Sequence, residues 1–317
     1  MSHPPVTVLP EAFLARTHRI LGQADVAAWE ASLACPSLTV RWTGKPDRVR
    51  LGPEYLESEG FTPQSVPWFD EAWKLGAISR RVVTALDWVR EQTLMLQSLS
   101  SIAAVMAMGV EPGHDVLDLC AAPGAKTSLI HRLQQGRGIL VANELSRTRT
   151  RRMDSLLRRL RINDVDIRTG PGEALGGTYE RCFDRVLADV PCSGEGRFHL
   201  SDSASWSRWS EAAIRGLAKR QVALLESACR TLRPDGRVLY ATCTMAPEEN
   251  EQVIDRVLRR GRTPIELVPA DLPLDGVRPG LSGWEGNEFL PEIKHAVRVV
   301  PGTGMTPFFM ASLRRVE

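Results

Sequence analysis

The chain has 317 residues, 43% of them hydrophobic, with 40 basic against 38 acidic side chains and a net charge of +2. That supply of apolar side chains supports one large domain and a smaller one. No run of eighteen apolar residues occurs, which excludes a membrane-spanning helix. The small net charge identifies no partner, because a local patch matters more than a sum.

The opening MSHPPVTVLPEAF lacks the basic start and apolar run of a secretory signal and the Arg-rich character of a transit peptide, so a bacterial cytoplasmic location is expected. The six cysteines, Cys35, Cys120, Cys182, Cys192, Cys229 and Cys243, form no CxxC pair. Neither a zinc ribbon nor a thioredoxin-like site is therefore expected, and no metal. Only five of the basic residues are lysines: Lys45, Lys74, Lys126, Lys219 and Lys294. A lysine inside a motif of so Arg-rich a chain points to a need for its compact ammonium, although genome composition gives the same bias.

In chain order, EAFLARTHRILG has helical spacing, SLTVRWTG reads as a strand, and YLESEGFTPQSVPWF reads as a short helix with a turn-rich connection. Residues 1–90 are thus expected to form a small α+β unit. Residues 91–317 change pattern. Helix SLSSIAAVMAMG leads into strand VLDL, followed by strand GILVANE and helix RTRTRRMDSLLRRL. Strands DVDIRTG and DRVLADV come next, then helix SEAAIRGLAKRQVALLESACRTL, strand GRVLYATC and helix EENEQVIDRVLRR. Such alternation implies a mostly parallel sheet with helices on both faces. AVRVV and PFFMASLRR read as a closing antiparallel edge. No internal repeat or low-complexity tract is present.

Ligands of such sheets sit at the carboxyl ends of the strands. The loops that converge there carry Cys120, Ala121, Ala122, Pro123, Gly124, Ala125 and Lys126, then Glu144, then Asp189 to Gly194, then Cys243. The first of them is not a Walker A loop, because both required glycines are missing, and GxGxxG is absent too. Glu144 ends the next strand, where an acid commonly accepts hydrogen bonds from ribose hydroxyls. A ribose site without a phosphate cradle suits S-adenosylmethionine better than NAD or ATP. The loop alone equally allows an ordinary small-residue turn with a solvated Glu144.

Cys35, Cys182 and Cys229 read as inert small hydrophobes. Cys192 and Cys243 differ, since both stand in polar turns at strand ends. A helix shortly after Cys243 offers a dipole that lowers its thiol pKa if the side chain points that way.

The segments DLCAAPGAKT, DVPCSG and YATCT followed by PEENE resemble motifs of the RNA cytosine-5 methyltransferases of the Sun/Nop family, in order and spacing. Trp206, Gln221, LQSLSSIAAVMA and the closing PFFMASLRR match as well, and TVRWT stands where the family has Arg-Val-Asn-Thr. The resemblance is strong from 95 to 260 and looser elsewhere. It implies a class I, Rossmann-like S-adenosylmethionine-dependent methyltransferase, preceded by a small RNA-binding domain, acting on C5 of cytosine in rRNA or tRNA as a monomer.

It also implies the roles. Cys243 is the nucleophile, Cys192 assists elimination and release, and Asp189 meets the N3/N4 edge of the base. Lys126 lies beside Asp189 and the base. The cofactor contacts residues 120–126, Glu144 and Asp189. Two departures stand out: Ala125 replaces a glycine, and Pro171 replaces an acidic contact to adenine, for which Glu173 is the candidate substitute. Seven arginines between Arg147 and Arg161 make a basic helix, read first as a solvated face and second as an RNA contact. Two other functions compete. A DNA cytosine-5 methyltransferase would use the Pro-Cys thiol of Cys192 as its nucleophile, and a noncatalytic RNA-binding or assembly factor would use neither thiol.

Overall fold

A computed structural model describes residues 9–34, 37–76, 78–200, 202–270, 274, 276–300 and 305–317; Cys35 lies outside them. The large sheet runs, in spatial order, through Val277–Pro279, Val297–Val299, Phe308–Arg315, Leu232–Thr242, Phe183–Asp189, Val116–Asp118, Leu140–Glu144 and Asp166–Thr169. Ile265–Val268 pairs with the far half of Phe308–Arg315. The five strands from Leu232–Thr242 to Asp166–Thr169 are parallel, and the rest add an antiparallel flank. This is the expected doubly wound sheet with its antiparallel edge.

The strands alternate sides with period two, as a sheet buried on both faces requires. Val186 and Ala188 pack with Leu224, Leu225 and Ala228 of helix Glu211–Thr231. Leu187 and Leu239 pack on the opposite face with Ile102 and Ala103 of helix Leu99–Ala107 and with Leu129 and Ile130 of helix Ala125–Gln134. Three of the helices start where a serine caps them. Ser98, Ser146 and Ser210 each accept a hydrogen bond from the backbone N–H three residues on.

Residues before the large sheet form two parts that pack in different places. Helices Glu11–Leu21 and Gln23–Ala34 carry Phe13 and Trp29 onto Phe198, Trp206 and Met245, in the loops that follow two of the sheet strands. Arg16, only 4% exposed, pairs with Glu248 at 2.7 Å in the same place. The second part is an antiparallel sheet ordered Gln64–Val66, Phe69–Gly76, Leu38–Trp42, Leu94–Leu96. Its last strand lies beyond the expected boundary at residue 90. The segment read as turn-rich contains the hairpin Gln64–Val66/Phe69–Gly76. This sheet docks on helix Ala125–Gln134 through polar contacts. Arg41 donates to Gln97 and to Ser128, both at 2.7 Å, and Arg132 donates to the Gly44 carbonyl at 2.9 Å and to Glu71 at 2.6 Å. Among the described residues no helix is long and apolar enough to cross a membrane.

Candidate active site

The direction of winding reverses between Val116–Asp118 and Phe183–Asp189, neighbours in the sheet although far apart in sequence. A crevice at their carboxyl ends is where such sheets bind ligands. Asp189 ends one strand opposite Ala241 of the next. The chain therefore leaves both strands side by side, and Cys192 and Cys243 follow within a few residues. Their sulfurs are 3.4 Å apart. Lys126, in the first turn of its helix, donates to Asp189 Oδ2 at 2.7 Å. The four residues expected to carry the chemistry are thus brought together.

Either sulfur can donate in the Cys192–Cys243 contact, and the surroundings decide which one does. The hydrogen bond with Cys192 lowers the Cys243 pKa most, against burial, and Arg197 and Lys126 lower it further. The Cys192 thiol is raised first by that same bond and then by burial. Cys243 is therefore the more acidic thiol of the pair, and Cys192 is the one placed to donate to it. The helix expected to activate Cys243 begins at Glu251, and its N-cap Asn250 accepts from Thr242 Oγ1 at 2.6 Å and donates to the Thr244 carbonyl at 3.0 Å, on either side of Cys243. The neighbouring thiol and cations lower its pKa as well. Lys126 loses stability as a cation through burial, but Asp189 more than offsets this and holds its pKa above the ordinary lysine value.

Two carboxylates, exchanged between the cysteine loops, fix this geometry. Glu195, 3% exposed, extends from the Cys192 loop and accepts from Thr244 Oγ1 at 2.9 Å, Met245 N–H at 3.0 Å and Trp209 Nε1 at 2.8 Å. Glu249, fully buried beyond the Cys243 loop, accepts from Ser193 N–H at 3.0 Å and Gln221 Nε2 at 2.8 Å. Burial pushes Glu249 up to about 7, against the pull of those donors. Such satisfied buried networks hold one arrangement of the groups they join.

Gly124 sits at φ 104°, and a Cβ there would come 3.0 Å from Met153 Cγ, so this turn needs a glycine. Ala125 is the first helical residue, which is why alanine can stand where the Sun/Nop pattern has a second glycine. Asp118, 1% exposed, accepts from Thr127 Oγ1 at 2.7 Å, while its Oδ1 is buried without a partner. Burial pushes Asp118 up to about 7. Burial also drives the Cys120 thiol far above its ordinary value, so Cys120 lines the crevice as a neutral group.

Glu144 accepts from Ser146 N–H at 2.9 Å and pairs with Arg149 at 3.1 Å. Arg149 also donates to the Ala122 carbonyl at 2.6 Å, so this half-exposed side chain lies across the expected ribose position. Pro171 is exposed, and Glu173 accepts from Arg220 Nε at 2.6 Å with its Oε2 buried and unpartnered. Cys229 is buried in the main core and pushed up to about 12 by burial, as expected of an inert thiol. In the basic helix, Arg158 pairs with Asp154 and Arg149 with Glu144, whereas Arg151, Arg152 and Arg159 line an open groove beside Pro123.

Sequence reasoning missed Glu195, Arg197 and the bonds that Ser193 and Gln221 make to Glu249. The run Cys-Ser-Gly-Glu-Gly-Arg carried the available signal: two glycines bracketing an acid just past a candidate thiol.

A family model described as 16S rRNA methyltransferase RsmB/F matches residues 105–314. The chain is 33% identical over 259 residues to ribosomal RNA small subunit methyltransferase F of Vibrio parahaemolyticus serotype O3:K6, covering 79% of this chain and 53% of that protein. It is 31% identical over 220 residues to the tRNA (cytosine(49)-C(5))-methyltransferase of Pyrococcus abyssi, 69% of each. A solved methyltransferase homolog protein from Pyrococcus horikoshii matches with a TM-score of 0.78 and 27% identity, covering 97% of this chain and 100% of that one. The chain spans about half the length of its Vibrio small-subunit relative.

Proposed function

Because this chain belongs to the 16S rRNA methyltransferase RsmB/F family, we propose that it methylates C5 of a cytosine in ribosomal or transfer RNA, using S-adenosylmethionine. The observation that carries this reading is the pair of sulfurs 3.4 Å apart beside the Lys126–Asp189 ion pair, at the ends of adjacent strands. C5 of cytosine is a poor nucleophile. Addition of the Cys243 thiolate to C6 converts the ring to an enamine whose C5 is reactive, splitting one hard step into easier ones. Asp189 takes the N3/N4 edge and offsets the charge that addition develops there. Lys126 holds Asp189 in place. Cys192, beside the nucleophile, assists departure of the C5 proton, after which the C6–S bond breaks and the aromatic ring returns. The target base must leave its stack to reach this crevice.

The residues present fit the cofactor. The unpartnered Oδ1 of Asp118 and its pKa of about 7 suit a cationic ligand. Glu144 suits ribose hydroxyls once Arg149 swings aside, and residues 120–126 supply a close-approaching backbone. When bound, the cofactor supplies an electrophilic methyl group. The antiparallel sheet spanning residues 38–96 helps hold RNA, and crosslinked peptides should include it. Full RNA affinity in a soluble truncation lacking the residues before 90 would remove that role.

Bisulfite sequencing of RNA from a deletion strain tests the activity. The expected result is one or more cytosines that lose protection and regain it on complementation. An unchanged pattern across rRNA and tRNA would overturn the reading.

Two further outcomes concern the cofactor. Glu144→Ala should weaken its binding roughly ten- to a hundredfold, about 1.5–3 kcal/mol for hydrogen bonds to a charged group. Unchanged calorimetric affinity would remove Glu144 from the site. A cation seated against Asp118 favours its charged form, so the pKa falls on binding. Affinity should then rise with pH across about 6 to 8, and at pH 7 binding should release up to about half a proton. Calorimetry in buffers of different ionisation enthalpy measures that release, and none at all would exclude Asp118.

A further inference from the structure

The turn after Cys192 is built to bring residue 197 back over the strand ends. Gly194 is left-handed at φ 76°. Arg197 N–H donates to the Gly194 carbonyl at 2.9 Å, and Gly196 N–H donates to the Cys243 carbonyl at 2.9 Å. A Cβ on Gly194 would stand 2.8 Å from Arg197 Nη2. The guanidinium therefore rests against a bare Cα, in space that any side chain at 194 would take. There it lies close to both cysteines, and its own charge is favoured first by Cys243, then by Cys192 and Asp189.

We propose that Arg197 keeps Cys243 deprotonated before RNA arrives. The proposal rests on the reading of Cys243 as nucleophile. The groups facing Cys243 are Cys192, Arg197, Asp189 and Lys126, with Glu249 close to Cys192. Lys126 and Asp189 are locked to each other at 2.7 Å and largely cancel at the sulfur. Glu249 is negative or neutral and cannot favour a thiolate. Among the described residues, Arg197 is thus the one facing cation not already neutralised by a partner in that set. Cys192, its sulfur 3.4 Å away, is placed to donate its S–H, so the sulfur anion has both a thiol and a guanidinium near it. Once the sulfur bonds to C6 it becomes a neutral thioether and needs neither.

The test is the pH dependence of Cys243 alkylation by iodoacetamide in the full chain, without RNA or cofactor, read peptide by peptide by mass spectrometry. In Arg197→Gln the midpoint should rise by about one pH unit, which leaves about tenfold less thiolate on its acid side. Arg197→Lys should restore most of the shift, because it keeps the charge. Altered access changes the rate of labelling but not its midpoint, and thermal melting verifies that each variant folds. An Arg197→Gln midpoint equal to that of the unmodified chain would overturn the proposal. Since labelling needs no substrate, a chain that failed to methylate RNA would still give this result, and the two failures are told apart.

Discussion

Cys243→Ala is expected to abolish methyl transfer and to form no covalent complex with RNA, whereas Cys192→Ala should accumulate a protein–RNA band that survives denaturation. The contrast follows from where each thiol acts. Removing the nucleophile prevents the adduct, and blocking a step after addition traps it. The sulfurs are 3.4 Å apart, so proximity alone does not tell them apart. Their surroundings do: Cys243 has Arg197 and Lys126 to favour its anion, while Cys192 faces Glu249. The loss in Cys243→Ala should be complete within detection, beyond about 10³-fold, because among the described residues no other group in the crevice is a comparable nucleophile at neutral pH. Cys120, the next thiol along the crevice, is held neutral by burial. A denaturing gel with RNA and S-adenosylmethionine reads both variants. An adduct that persisted in Cys243→Ala and vanished in Cys192→Ala would reverse the assignment, as a DNA-type mechanism requires.

The parallel core was legible because its strands are short apolar runs alternating with amphipathic helices, a local pattern. Cys192, Cys243, Asp189 and Lys126 were legible because polar residues at the carboxyl ends of such strands have a predictable destination. What was not legible depends on contacts between distant segments. The hairpin at Gln64–Val66 hides between Pro63 and Pro67, which read as turn. Phe13 and Trp29 look like ordinary helix residues until Phe198 and Trp206 meet them. Glu195 and Glu249 look like solvated acids in their own loops, and only the adjacency of the two strands makes each a clamp on the other's loop. The small sheet's boundary fell short at residue 90 because Leu94–Leu96 is too brief to announce itself as a strand.

Arg298→Met is expected to be the most destabilising single change near the site, by about 3–5 kcal/mol, because it leaves a buried carboxylate without its partner. Arg298 and Glu251 are 7% and 0% exposed and meet in a bidentate pair at 2.5 and 2.6 Å. Arg298 also donates to the Met245 carbonyl at 3.0 Å and lies over the Phe309 ring, 5.9 Å from its centroid. Met245 is two residues past Cys243, so the pair anchors the nucleophile's loop to the antiparallel edge. Loss of Arg298 should therefore lower activity beyond what the unfolded fraction explains. Replacing both partners, Arg298→Met with Glu251→Gln, removes the orphaned charge while keeping an acceptor for Leu281 N–H, which now donates to Glu251 at 3.0 Å. More than half of the lost stability should return, whereas the activity defect should remain, because the Met245 carbonyl still lacks its donor. Urea unfolding of the two variants, with methylation rates on the folded protein, separates these effects. A loss under about 1 kcal/mol in Arg298→Met would place the pair among the weakly contributing surface type, and full activity in the double variant would show that the loop is held without it.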